Sequence, residues 1–346
     1  MRTMISTDWH LSVTRTGGTT PSTQVKLRDY LAVSLANCLG SEDHLICGDL
    51  FDKFTVDTSE VIRAYEIFST WLQQYGKNLA LVRGNHDFSV RGDQVCSFDL
   101  LATILQSQFP DQVTVARDVT VWKNFVLVPH LPNQDLLNLT IENLRDVSGK
   151  FVVFHANFDN GYCEHSDHSL NVSMVQAKRL VEEGATVLFG HEHVAKAALS
   201  GKVIVLGNTA PSSVADCLGN DAKYAHVLHD DGELEKVQTW SRTGPNGYSE
   251  IDWRELELNP EADKGFIRVT GSAEAAEAEA VVDTISKYRA KSTSFVVTNA
   301  VRIAGMADMS AMSEVAAESI KTFDVLTALL EELDERERKV VKEMLE

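Results

Sequence analysis

Five short polar clusters carry the residue types that could do chemistry. They are Asp8-Trp9-His10, Gly48-Asp49-Leu50-Phe51-Asp52, Gly84-Asn85-His86-Asp87, His155 in "FHANF", and Gly190-His191-Glu192-His193. Each closes an apolar run, although Asn, His and Asp are costly to bury without partners. Imidazole and carboxylate, with one amide oxygen and no thiolate, suit Mn²⁺, Fe²⁺ or Zn²⁺ better than a structural zinc site. The donors suffice for two divalent ions sharing one bridging carboxylate. Any one cluster alone reads as a turn, since Gly-Asn and Asn-X pairs are common turn formers. Five in order, each at the end of an apolar run, read as a site.

The elements that must position these clusters follow from periodicity. Residues 2–8, "HLICGDLFD", "NLALVRGNHD", "FVLVPHLPN", "KFVVFHANF", "ATVLFGHEH" and "KVIVLGN" are strand-like. Helical spacing runs through 22–40, ending at Gly40, and through 57–76, which opens on a capping-box pattern from Asp57 to Glu60. Strands alternating with helices indicate a mainly parallel sheet covered on both faces. Such sheets bring residues distant in sequence to one carboxyl edge, where ligands bind. A polar stretch with Gly-Pro, Asn-Gly and Asn-Pro turn signals occupies 241–264. Beyond it come "FIRVTG", an Ala/Glu-rich helix over about 272–290, and "TSFVVTNAVRI". Ile320, Phe323, Leu326, Leu329, Leu330 and Leu333 then form one apolar helical face, followed by a second short helix.

The bulk composition sets limits. With 346 residues, 44% of them hydrophobic, the chain can bury a large core in two domains plus an appendage. No apolar run approaches the roughly 18–20 residues of a membrane span, and the N-terminus lacks a signal-peptide apolar region, so the expectation is a cytoplasmic protein with no membrane partner. Five scattered cysteines without C-x-x-C argue against disulfides and zinc-thiolate sites. A net charge of −18 argues against autonomous high-affinity nucleic-acid binding. It leaves open action on DNA where metal ions or a basic partner supply positive field.

The ordered set D-x-H, G-D-x-x-D, G-N-H-D, H and G-H-x-H resembles the calcineurin-like metallophosphoesterase family over roughly residues 1–240. That resemblance implies an α/β sandwich of two mixed β-sheets flanked by helices. It implies that Asp8, His10, Asp49 and His193 hold one metal, and that Asp49 bridges to a second completed by Asn85, His155 and His191. His86 is then a non-ligand acting on substrate, oriented by Asp52. Two divalent ions about 3.5–4 Å apart would activate a water and clamp phosphoryl oxygens during in-line displacement. "GDLFD", "GNHD", the later β-α-β segment and the terminal helix pair together are similar to the SbcD family of nuclease subunits, in bacterial or phage form. Protein phosphatases of the wider family instead read like "GDYVDRG" and "GNHE".

The closer resemblance implies a nuclease domain over 1–245, a capping domain over 262–306 and ATPase-binding helices over 314–346. Its expected activity is Mn-dependent double-strand exonuclease, 3′–5′, with single-strand endonuclease activity, Mg, Fe or Zn being the other candidate ions. The expected partners are an SbcC-type ABC ATPase, double-stranded DNA ends and a second copy in a homodimer. Arg15, Lys53, Arg83 and Arg91 flank the motif loops as candidate DNA contacts; His165 and His168 are weaker candidates as extra ligands. The chain departs from relatives at 207–213, "GNTAPSS", where they often read "GSP" or "GTP". A stand-alone phosphodiesterase and an inactive scaffold are the competing readings.

Overall fold

The structure is a computed structural model that describes residues 2–12, 43–75, 77–88, 94–161, 169–256, 265–292 and 294–304. Arg15, Arg91, His165, His168, the helix expected over 22–40 and the segment 314–346 lie outside the described residues. Contacts divide the chain into two compact units. One comprises residues 1–250, 258–268 and 289–298; the other comprises 251–257, 269–288 and 299–346.

The larger unit opens with β1 (Thr3–Ser6), β2 (Asp43–Ile46), α1 (Thr58–Tyr75), β3 (Asn78–Val82), α2 (Ser97–Gln108) and β4 (Val113–Ala116). It continues through β5 (Thr120–Trp122), β6 (Phe125–Val128), α3 (Gln134–Asn143), β7 (Phe151–His155), β8 (Asn157–Phe158), β9 (Asn171–Val172), α4 (Met174–Glu182) and β10 (Thr186–Gly190). Then come β11 (Lys196–Ala198), β12 (Val203–Val205), α5 (Val214–Gly219), β13 (Ala222–Leu228), β14 (Leu234–Ser241) and β15 (Tyr248–Asp252), the last of which runs on into residues of the other unit.

These strands build two six-stranded sheets where the alternation of strands and helices indicates one. The first has the order β14-β13-β1-β2-β3-β4 and the second β11-β12-β10-β7-β6-β5. The β1–β4 strands are mutually parallel, as are β6, β7, β10 and β12, while β13, β14, β5 and β11 add antiparallel edges. Alternation along each strand explains the layering, because successive side chains point to opposite faces. In the first sheet Met4, Ile46, Leu79 and Leu81 pack with α1 and α2 through Phe68, Leu72, Leu101 and Leu105. Their neighbours Ile5, Leu45, Ala80 and Val82 face the other way, against Phe125, Leu127, Val153 and Leu188 of the second sheet. Val152, Phe154, Val187 and Phe189 then cover α3 and α4 through Leu137, Ile141, Ala177 and Leu180. The result is helix, sheet, sheet, helix. The parallel strands of each sheet carry the polar clusters at their carboxyl ends.

Further along lie β16 (Phe266–Thr270), β17 (Ser272–Ala273), α6 (Ala278–Lys291), β18 (Val296–Asn299) and β19 (Arg302–Ile303). The order β15-β16-β18 makes a three-stranded sheet, and β17 pairs with β19. Among the described residues no helix is long and apolar enough to cross a membrane.

Candidate metal centre

The backbone past the ends of β1 and β2 remains paired. Cys47 N–H donates to Ser6 O, Asp8 N–H to Gly48 O, His10 N–H to Asp49 O, Leu11 N–H to Leu50 O and Asp52 N–H to Leu11 O, all at 2.8–3.1 Å. To keep this pairing while turning side chains inward, Asp8, His10 and Asp49 adopt φ of 52°, 45° and 48°. His191 sits at 87°. Left-handed φ is uncommon outside glycine and clusters at functional sites. Glycine solves the remaining crowding. A Cβ on Gly84 would stand 2.1 Å from Asp49 Oδ1 and 2.3 Å from Asp49 N, and one on Gly48 2.1 Å from His155 Nδ1.

Three groups of ligand-type side chains result: Asp8 with His10 and His193, His10 with Asp49 and His86, and Asp49 with His155 and His191. Within each group one ligand atom per residue lies within 4.8 Å of the others. His10 Nε2 and His193 Nε2 point at one another at 3.1 Å. Asp8 Oδ1 is 3.9 Å from the first and 4.0 Å from the second. Asp8 Oδ2 accepts hydrogen bonds from Thr7 Oγ1 at 2.6 Å and His191 N–H at 3.0 Å. Asp8 Oδ1 is buried without a hydrogen-bond partner among the described residues. A buried carboxylate oxygen aimed at two imidazole nitrogens is the arrangement a divalent cation fits. Asn85 Oδ1 lies 3.0 Å from His155 Nε2 and 2.9 Å from His191 Nδ1, so all seven expected ligands converge.

The electrostatics follow from burial and crowding. Burial pushes the Asp49 carboxyl up, but His155, His10 and His86 together hold it well below the usual range. Burial lowers His155, and Asp49, Asp8 and the Cys47 carbonyl overcome it, raising the imidazole to about 9. His191 is lowered to about 4 by burial and by His155. Because metal ligands must shed protons, a cation competes directly with the proton on His155.

His86 has a different setting. Its side chain is 28% exposed, whereas that of Asp49 is 2% exposed. Its Nδ1–H donates to the main-chain carbonyl of Asp52 at 2.7 Å, and Nε2 is 3.9 Å from Asp49 Oδ2. The Asp52 carboxylate instead faces His10 Nδ1 at 3.3 Å. The contact that the resemblance places on the Asp52 side chain is therefore made to His86 by its backbone.

Several positioning residues escaped the motif reading. Asp87, read only as part of G-N-H-D, is buried and accepts N–H groups of Leu50, Phe51 and Gly84, fastening two motif loops together. Burial and Asp49 push its carboxyl up to about 7, against those three donors. Asp216 takes His193 Nδ1–H at 2.8 Å. The only sequence hint of it is Ser213-x-x-Asp216, a helix-start pattern at α5. The departing segment 207–213 is a brace: Thr209 exchanges hydrogen bonds with the Thr7 backbone, and Asn208 and Ser212 hold Asp216. Trp9, between two expected ligands in sequence, packs against Phe68 and Trp71. Lys53 is exposed. Arg83 lies over Phe88 and donates to Arg117 O.

With this geometry in place, the chain can be set against known proteins. The profile of the calcineurin-like phosphoesterases matches residues 1–195, more than half of the 346-residue chain. The chain belongs to that family, whose members bind divalent metal ions and hydrolyse ester bonds. No curated protein sequence matches it. Among solved structures it is similar to TT1561 of Thermus thermophilus, with 14% identity and a TM-score of 0.42 over 69% of this chain and 99% of that one. It is also similar to the nuclease MPE of Pseudomonas putida, with 18% identity and a TM-score of 0.26 over 46% of this chain and 64% of that one.

Proposed function

We propose that this chain is a metal-dependent phosphodiesterase acting on DNA, the nuclease subunit of an SbcD-type complex. The observation that carries the phosphodiesterase reading is the pairing of a partly exposed His86 with a buried two-centre cluster. In this reading Asp8, His10, Asp49 and His193 hold one cation, and Asp49, Asn85, His155 and His191 hold the other. When bound, such cations supply Lewis-acid chemistry: they neutralise phosphoryl oxygens and make water more acidic. Mn²⁺ is the proposed ion, on the all N/O donor set.

The chain's own residues would do the rest. Asp52 O fixes the His86 Nδ1 proton, so Nε2 is the atom that faces the reacting phosphoryl group. A proton carried there as imidazolium stabilises negative charge and can pass to the departing ester oxygen, restoring the neutral ring. The buried Asp87 keeps the two loops that bear Asp49 and His86 at fixed separation.

The nuclease assignment rests on "GDLFD" and "GNHD", which differ from the phosphatase pattern, and on the strand-helix-strand run of β16, α6 and β18 after the catalytic strands. It includes an SbcC-type ABC ATPase bound through residues 314–346 and a homodimer at DNA ends. With a net charge of −18, the chain needs cations or that partner to meet DNA. The deciding experiment incubates linear and circular duplex DNA with the protein and Mn²⁺, with and without the ATPase. Cleavage of linear duplex that needs Mn²⁺ and rises with partner and ATP is expected. Hydrolysis of small phosphodiesters alone would favour a stand-alone enzyme. Residues 314–346 separate the two as well: their removal should leave small-substrate hydrolysis intact and abolish ATPase assembly.

A further inference from the structure

We infer that Asp216 is a positioning residue that makes the two cation positions unequal, the one built on Asp8, His10 and His193 being the tighter. The inference rests on the reading of the cluster as a two-cation centre and adds the order in which it fills.

The argument starts from the ring nitrogen that each imidazole turns away from the centre. A ligand histidine whose outer N–H meets a carboxylate is fixed in tautomer and orientation and becomes a stronger base toward the metal. His193 Nδ1–H donates to Asp216 Oδ1 at 2.8 Å, while His10 Nδ1 lies 3.3 Å from Asp52 Oδ1 with no hydrogen bond between the two atoms. Both histidines of this position are therefore backed by charge. On the other side His155 Nδ1 meets the neutral carbonyl of Cys47 at 2.8 Å. His191 turns Nδ1 toward Asn85 Oδ1, and the structure gives its Nε2 no hydrogen-bond partner among the described residues.

Asp216 is itself held. Its Oδ2 accepts hydrogen bonds from Ser212 N–H at 2.9 Å, Ser212 Oγ at 2.7 Å and Asn208 Nδ2 at 3.2 Å, and its own N–H donates to Ser213 Oγ. A carboxylate fixed at one oxygen by three donors presents the other in a single direction. That direction sets the His193 ring, and with it the aim of Nε2 at Asp8 Oδ1 and His10 Nε2. Lys223 Nζ donates to the His193 carbonyl at 3.0 Å and steadies the same residue from its backbone. His191 is also held from its backbone, its N–H donating to Asp8 Oδ2 at 3.0 Å, but among the described residues no carboxylate hydrogen-bonds its ring.

The test is a calorimetric titration of Mn²⁺ into metal-stripped full-length protein, comparing wild type, Asp216→Asn and Ser212→Ala. Asp216→Asn keeps an acceptor for His193 Nδ1–H and removes the charge. Wild type should show two binding steps. In Asp216→Asn the tighter step should weaken roughly 10–100-fold, the usual cost of losing such a partner, with the weaker step unchanged. Ser212→Ala, which frees only the far oxygen, should weaken the same step by less. Should Asp216→Asn fail to fold, the Ser212→Ala isotherm decides alone. Equal weakening of both steps, loss confined to the weaker step, or an unchanged isotherm would overturn the inference. Absence of any Mn²⁺ binding by wild type would overturn the two-cation reading itself, and this inference with it.

Discussion

The two six-stranded sheets make unlike contributions to the centre they share. The first supplies both carboxylates, Asp8 and Asp49, together with His10, Asn85 and His86, from loops whose backbones stay hydrogen-bonded past the strand ends. The second supplies imidazoles: His155 from the last position of a regular strand, and His191 and His193 from the residues just after β10. The ligand carboxylates and three of the site's four left-handed residues, Asp8, His10 and Asp49, are therefore on one side, and imidazoles, with the left-handed His191, on the other. The seam core of Ile5, Leu45, Phe125, Leu127, Val153 and Leu188 fixes the distance between them. A site divided in this way depends on packing between sheets as much as on its own ligands.

The largest expected effect falls on the first sheet. Asp49 Oδ2 lies 3.9 Å from His10 Nε2 and Oδ1 lies 3.2 Å from His155 Nε2, one proposed ligand of each cation, so Asp49→Ala should lose both cations and reduce hydrolysis to background, whereas His155→Ala should lose one. Metal analysis of the purified variants checks this, and two ions retained in Asp49→Ala would break the comparison. His86→Ala should retain both ions and lose roughly 10²–10⁴-fold in turnover, the usual contribution of a positioned acid or base. Near-normal turnover would reduce His86 to a turn residue.

The seam gives the next effect. Leu127→Ala should cost roughly 2–5 kcal/mol in a denaturant titration of the metal-free protein, as for other buried leucines. It should also weaken Mn²⁺ binding, although Leu127 is not itself a ligand. Unchanged metal affinity in a destabilised Leu127→Ala would show that the sheets hold their spacing by other means.

The smallest effect is a pH dependence from one buried histidine of the first sheet. Burial and then Lys77 lower His44 from 6.5 to about 3. The unfolded chain therefore takes up a proton that the folded one refuses. The stability from neutral His44 is full above about 6.5 and declines as pH falls toward about 3. His44→Phe should flatten the slope of unfolding free energy over that window. An identical slope in the variant would show that His44 is not the responsible group.

The legible part of this molecule was where side-chain chemistry interrupts an apolar run. Asp8, His10, Asp49, Asn85, His155, His191 and His193 each follow or end a strand, so sequence order alone marks them. The second sheet was not legible from periodicity, because strands such as "FVVFH" are apolar on both faces whether they meet a helix or another sheet. Only the family resemblance carried it. The supports were harder still. Asp216 lies 23 positions from His193, and the Cys47 carbonyl has no side-chain signature at all. Asp52 shows the limit of motif transfer: its position was evident, while the atom that meets His86 depends on backbone geometry.

The paired backbone beyond β1 and β2 has a consequence for amide hydrogen exchange. The N–H groups of Asp8, His10, Leu11 and Asp52 are already bonded across the loops and sit among buried side chains. Their exchange requires the cooperative opening of the surrounding sheet rather than local fraying. These amides should therefore be slow in metal-free protein and gain little further protection when cations enter.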